Sequence, residues 1–288
     1  MTPRLTVVAV ALVFGVPAVL PAQDVPMGPP AIVQIGREFV KPGKWAAHTK
    51  LETEWGQALA AAKFPVNFLA ISSMTGASEV WFLSGFASMA ELEKTNQTID
   101  ANPALGAIFN RFSPQESDML QDSRGMIARF RDDLSYLPGK EALGTMRYFS
   151  ITRTQVRPGH NSDFEDARKQ IKAAHLKASL PDGFAIFQVT AGAPAGTFLT
   201  FVARKSLAEL DQGAQIHGAA YVAALGGDSG QKKLAALASS GTITAETNEF
   251  AFSPAMSFAA KDLVDADPTF WKPKPMVAAP KKAEPKKP

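Results

Sequence analysis

No cysteine occurs in the 288 residues. That excludes disulfide scaffolds, zinc–thiolate sites, iron–sulfur clusters, thiol nucleophiles and a lipoprotein anchor on cysteine. Histidine is scarce: His48, His160, His175 and His217 are the full set. None stands in an H-x-x-x-H or H-E-x-x-H pattern, so no metal motif is read. There is no G-x-S-x-G, which leaves nucleophilic serine chemistry without support. Leu225-Gly226-Gly227-Asp228-Ser229-Gly230 is glycine-rich but lacks a following lysine-serine or lysine-threonine pair, so it reads as a turn and not a phosphate loop. The 21 glycines and 21 prolines follow no collagen period. What the chain does have is apolar content, 46% by composition, enough to bury a core.

The start of the chain reads as an address. Arg4 precedes an apolar run from Leu5 to Leu20, and Leu20-Pro21-Ala22 offers a small-residue exit before Asp24. This pattern predicts a secretory signal peptide over 1–22, the run being shorter than the roughly 20 residues a spanning helix prefers. An exported chain without cysteine suits a bacterial periplasm or the outside of the cell.

The overall charge of +3 misleads. Six lysines lie in 271–288 against the single acid Glu284, and the remaining body, without Arg4, holds 23 basic and 26 acidic residues. A mildly acidic body makes no electrostatic case for nucleic acid. The Pro/Lys-rich stretch 268–288 is expected to be a disordered tail, with anionic cell-envelope polymers or lipid as its conceivable contact.

An internal repeat is the strongest signal. Val40-Lys41-Pro42-Gly43 recurs as Val156-Arg157-Pro158-Gly159, 116 residues on. At the same spacing Ile35 meets Ile151, Arg37 meets Arg153, Pro65 meets Pro181, Phe68 meets Phe184 and Gly76 meets Gly192. Periodicity within each copy predicts β-α-β-β-α-β, the ferredoxin-like order, over 31–138 and 146–254 with a short linker at 139–145. The predicted elements are strand 31–40, helix 44–62, strands 67–73 and 79–86, helices 88–99 and 103–121 and strand 124–137. The second copy follows as strand 146–156, helix 160–178, strands 184–190 and 197–203, helices 205–225 and 229–239 and strand 242–252.

Two such units, each opening with a strand that runs into a V-x-P-G turn and an amphipathic helix, resemble the dimeric α/β-barrel superfamily. Antibiotic-biosynthesis-type monooxygenases and NIPSNAP-like proteins belong to it. The resemblance covers roughly 31–254 and implies an α+β fold. Two four-stranded antiparallel sheets would close a barrel that relatives usually build from two chains, here as a pseudo-dimer within one chain. Its haem-binding branch carries a helical histidine in a second ferredoxin-like unit, which makes His217 the candidate should haem be bound; the main expectation is no cofactor.

Trp45, His48, Glu52 and Trp55 fall on one face of the first helix. His48 and Glu52 can be a proton-transfer couple in an aromatic pocket, or a half-buried histidine bonded to its helical neighbour. The second alternative is favoured, since aromatic stripes at helical spacing are usually core. In the second copy Phe164 stands for His48, Arg168 for Glu52 and His175 for Leu59. Arg37 and Arg153 either clamp an anionic group or, as favoured, pair with a carboxylate such as Asp132 or Glu249 on a last strand. The leading expectation is an exported protein binding a small, largely apolar molecule between sheet and helices, around Trp45, His48, Glu52 and Trp55. Arg37, Arg153, Arg168 and His175 are further candidate contacts. A cofactor-independent or haem-dependent oxidoreductase and a structural module of the envelope are the alternatives.

Overall fold

A computed structural model describes residues 28–137 and 142–272. The expected signal peptide 1–22 and most of the expected tail lie outside the described residues. The first repeat runs β1 (Ile32–Val40), α1 (Trp45–Ala61), β2 (Leu69–Ser73), β3 (Glu79–Phe86), α2 (Met89–Asp100), α3 (Pro103–Ser117) and β4 (Leu120–Phe130). The second runs β5 (Tyr148–Val156), α4 (Asn161–Ala178), β6 (Ala185–Ala191) and β7 (Thr197–Arg204). It continues through the short helices α5 (Ala208–Asp211), α6 (Gly213–Ile216) and α7 (Ala219–Ala224) to α8 (Gly227–Gly241) and β8 (Thr242–Phe252). No described helix is long and apolar enough to cross a membrane.

The strands close one antiparallel barrel in the order β1-β3-β2-β8-β5-β7-β6-β4. Each repeat supplies four adjacent strands. The seams are β2 on β8, Ile71–Ser73 against Phe250–Phe252, and β4 on β6, Ile127–Phe130 against Phe187–Ala191. Since every neighbour is antiparallel, β1 and β5 run in the same sense, and the repeats are related by an approximate two-fold along the barrel axis. Val40-Lys41-Pro42-Gly43 and its copy therefore turn at the same end, with Gly43 and Gly159 at φ +77° and +87°, backbone that favours glycine.

Alternation sorts the side chains. Val33, Ile35, Ile71, Trp81, Met126, Phe149, Ile151, Phe187, Leu199, Phe201, Phe250 and Phe252 fill the interior. Ile32, Val40, Ala70 and Val80 face outward and are covered by helices and loops. Straps after β4 and β8 cross the seams: Tyr136 bridges Phe184, and Phe258 bridges Phe68.

The far end of the barrel is plugged by the segment after β8, with α9 (Lys261–Ala266) and α10 (Pro268–Trp271). Trp271 joins the interior cluster, 5% exposed, and its indole N–H donates to the Gly144 carbonyl at 2.7 Å. Asp267 caps α10 and pairs with Arg147. The tail expected over 268–288 thus begins too early: 268–272 is ordered, because Phe270 and Trp271 supply the apolar area the lysines and prolines lack.

Other boundaries differ as well: the helix expected over 103–121 ends at Ser117, and the next strand begins at Leu120. The last strand of the first copy, expected at 124–137, is Leu120–Phe130, because Asp132–Leu134 turns into a 3-10 helix that buries Leu134. The helix expected over 205–225 is three short pieces separated at Gln212 and Gly218, where glycines raise the cost of continuous helix. Of the linker expected at 139–145, Leu143–Thr145 is a 3-10 turn against α9, and 139–141 lies outside the described residues.

Candidate functional site

Three polar constellations sit on this scaffold. The first lies between the first sheet and its helices. The inner stripe of α1 presents His48, Glu52, Trp55 and Leu59. His48 is fully buried, and its Nε2 lies 2.8 Å from Glu38 Oε2 on β1. This corrects the expectation of a bond to its helical neighbour Glu52. Glu38 also hydrogen-bonds Glu116 near the end of α3. Two carboxyls share such a bond only when one holds a proton, and Glu116 is the holder: burial and the Glu38 carboxylate push it up to about 8. Burial, reinforced by Glu38 and Glu116, pushes Glu52 up to about 9. Burial holds His48 below its usual range against the pull of Glu116. His48 Nδ1, Glu52 Oε1 and Trp55 Nε1 are buried without hydrogen-bond partners. Trp55 stacks on Phe112 at 5.6 Å, and Trp45 packs with Val40, Val80 and Met256. Trp55 is therefore core, whereas Trp45 is half-buried at the edge of a smaller cluster. Glu38 thus accepts from both Glu116 and His48 Nε2, which leaves His48 Nδ1 as a buried, unpartnered acceptor.

The second constellation is the open mouth of the barrel. A cavity of about 360 Å³ lies there, with Trp81, Ile151 and Phe250 below and charged side chains around the rim. Arg37, 6% exposed, donates from Nε at 2.9 Å and Nη2 at 2.7 Å to one oxygen of Glu79. Its guanidinium lies over Trp81 at 4.7 Å and Phe39 at 4.9 Å. Arg153 pairs with Glu246 at 3.0 Å, and Arg124 with Asp122 at 2.7 Å. The favoured ion pairs exist, but their partners are not Asp132 or Glu249. Glu249 accepts from Ser150, and Asp132 sits in the turn past β4. The indole N–H of Trp81 is buried and unpartnered beside this cavity.

The third lies under the helices of the second repeat. Arg168 is held below the usual guanidinium range, at about 10, by burial; its Nη2 donates to Thr200 Oγ1 at 3.1 Å and its Nε has no partner. His175, 3% exposed, packs between Tyr136, Phe184 and Tyr221. His217 turns its Nε2 to the Nε2 of His175 at 3.4 Å and to Asp182 at 3.3 Å. A haem iron on His217 would need that nitrogen directed at an open slot wide enough for the macrocycle. It faces a second imidazole and a carboxylate instead, a donor set that does not fit haem.

Sequence reasoning missed Glu38, Glu79, Glu116, Asp182 and Trp81. Glu38 carried a readable signal: alternation puts it on the outward face of β1 with Ile32 and Val40, where a carboxylate is out of place. The others come together only through the barrel closure and the helix crossings.

No family model and no curated protein matches the chain. Solved structures do match. An anthrone oxidase-like protein aligns over 77% of this chain and 91% of its own, with TM-score 0.51 and 13% identity. A putative monooxygenase from Fusobacterium nucleatum subsp. nucleatum aligns over 77% and 91%, with TM-score 0.50 and 10% identity. A NIPSNAP family protein from Agrobacterium tumefaciens aligns over 35% of this chain and 93% of its own, with TM-score 0.30 and 22% identity. At these identities the likeness is one of fold. The chain is a tandem ferredoxin-like α/β barrel, similar in fold to the anthrone oxidase-like protein and to the Fusobacterium protein.

Proposed function

We propose that the protein binds a small molecule at the mouth of its barrel. The observation that carries this is the cavity itself: about 360 Å³, an apolar floor of Trp81, Ile151 and Phe250, and charged groups of both signs around its edge. Polar and charged side chains outnumber apolar ones around the cavity, so the ligand class is a small organic molecule with an apolar part for the floor and polar groups for a rim that includes Arg37, Glu79, Arg124, Arg153 and Glu246. The neighbours named as a putative monooxygenase and as anthrone oxidase-like are in keeping with organic small molecules. We further propose, on sequence grounds alone, that the protein is exported to the periplasm or beyond and that its lysine-rich end contacts anionic envelope surface.

Native mass spectrometry of protein taken from its own host tests the reading. The expected result is a co-purifying small molecule that quenches tryptophan emission. Arg153→Ala, which takes one half-exposed charge from the rim, weakens the ligand about fivefold, equivalent to about 1 kcal/mol. An empty chain, together with no response of Trp81 emission to a panel of flat phenols and quinones, overturns it.

A second reading is favoured by one observation, the three unpartnered buried atoms at His48, Glu52 and Trp55. In that reading the neutral His48, held from behind by Glu38, offers Nδ1 as the base of a cofactor-independent oxidoreductase. Glu38 and Arg37 are consecutive on β1, so this base and the cavity lie on opposite faces of one strand.

A further inference from the structure

We propose that His175, Asp182 and His217 form a binding site for one divalent transition-metal ion of the zinc class. His175 Nε2, Asp182 Oδ2 and His217 Nε2 are mutually separated by 3.3, 3.4 and 3.9 Å. With metal–ligand bonds of about 2.1 Å, a tetrahedral ion needs donors roughly 3.4 Å apart, so these three atoms already outline one face of its coordination shell.

The tautomer of His175 is fixed. Its Nδ1 lies 2.9 Å from the Ile171 carbonyl, which only accepts, so Nδ1 carries the proton and Nε2 offers its lone pair to the triangle. An imidazole braced from behind by a backbone carbonyl is the usual outer-shell arrangement of a metal-binding histidine. The chain is bent to assemble the set. Ser179 ends α4 in the left-handed conformation at φ 50°, and Leu180 N–H bonds back to the His175 carbonyl. Asp182 thereby returns against the last turn of the helix that carries His175. His217 arrives from the end of α6, its N–H bonded to the Gly213 carbonyl. The three ligands thus come from a helix, a loop and a second helix end, which is why no short sequence motif announced them.

Two imidazoles and a carboxylate suit zinc, iron(II), cobalt or nickel and not magnesium or calcium. His217 is the solvent-facing ligand, its side chain 40% exposed, and gives the ion its way in. Tyr221 borders both rings, at 5.1 Å from His175 and 4.9 Å from His217. The three protein donors leave a fourth position for water or substrate. The Arg168 charge nearby opposes a cation here, and Asp182 supplies the compensating charge.

The test uses the untagged full chain, stripped with chelator and titrated with Zn²⁺ alone, then with Co²⁺ to read its visible absorption. The expected result is one equivalent bound with a tetrahedral-type cobalt spectrum. Binding weakens at least tenfold in Asp182→Asn and in the solvent-facing His217→Ala, and is unchanged in His160→Ala. Each variant is checked for an unaltered circular dichroism spectrum. Absence of uptake by the folded wild-type chain, or uptake that survives both Asp182→Asn and His217→Ala, overturns the site and leaves a hydrogen-bonded triad only.

Discussion

Glu52 and Arg168 hold equivalent positions on the first helices of the two repeats, and both are held against their sheets without an ion-pair partner among the described residues. Each answers the cost of burial differently. Glu52, beside two other carboxyls, keeps its proton and is neutral at physiological pH. Arg168 cannot shed its charge so readily. It leans on Thr200 and lies 5.2 Å from the face of Phe184.

The acid cluster makes stability fall with rising pH. In the folded chain Glu52 and Glu116 hold protons to about pH 9 and 8, against an ordinary value of 4.5. Between those limits the folded state binds more protons than the unfolded, so their stabilisation is whole below about pH 4.5 and is lost as pH climbs towards 8–9. His48 acts oppositely below 6.5, since its imidazolium is disfavoured when folded. Thermal unfolding of Glu52→Gln from pH 5 to 9 should show a flatter profile than wild type. Its midpoint at pH 9 should be higher by roughly 2–4 °C for each kcal/mol of relieved charge. An unchanged slope would remove Glu52 from the account.

The repeat-related arginines should differ in cost. Arg37→Ala strands Glu79, 4% exposed, and should cost about 3–5 kcal/mol in urea denaturation. Arg37→Met with Glu79→Leu should recover most of that loss. Arg153→Ala breaks a pair whose side chains are 41% and 53% exposed and should cost under about 1 kcal/mol. Equal costs would contradict the difference in burial.

Trp271 should behave as core although it lies at the edge of a lysine-rich end. Trp271→Ala empties the plug and removes the shorter of two hydrogen bonds to the Gly144 carbonyl, which keeps only Arg147 Nη1 at 3.4 Å, at a cost of about 3–5 kcal/mol. Truncation after residue 272 should leave the midpoint unchanged. Both are read by denaturant titration.

The two hairpin glycines test the same backbone in different surroundings. Gly76 and Gly192 have φ +76° and +85°. A methyl group on Gly76 would meet the movable Asn248 side chain, whereas one on Gly192 would meet the backbone of Gly125 and Met126. Gly76→Ala should therefore cost about 1–3 kcal/mol from backbone strain alone. Gly192→Ala should cost clearly more, because β4 cannot yield.

The fold was legible because its signals are local and occur twice. The V-[KR]-P-G turns, the alternating strands and the 116-residue spacing of Arg37 and Arg153 each follow from short-range pattern. The placing of His48 and Trp55 on the buried face of α1 follows from the 3.6-residue period. The partners did not. Glu79 reaches Arg37 across β1 and β3, Glu116 reaches Glu38 from α3, and Asp182 meets His217 only because Ser179 reverses the chain. Trp271 was misassigned because composition averages over a window, while one indole is enough to anchor a segment.

The seams of the barrel carry a consequence for how the chain matures. When only the first repeat has been synthesised, β2 and β4 are open edges whose backbone groups await β8 and β6. Their rightful partners are tethered on the same polypeptide, so closure is intramolecular and independent of protein concentration. A first repeat released alone has the same two edges and no tethered partner. It would seek them on another copy of itself, closing the barrel between two chains.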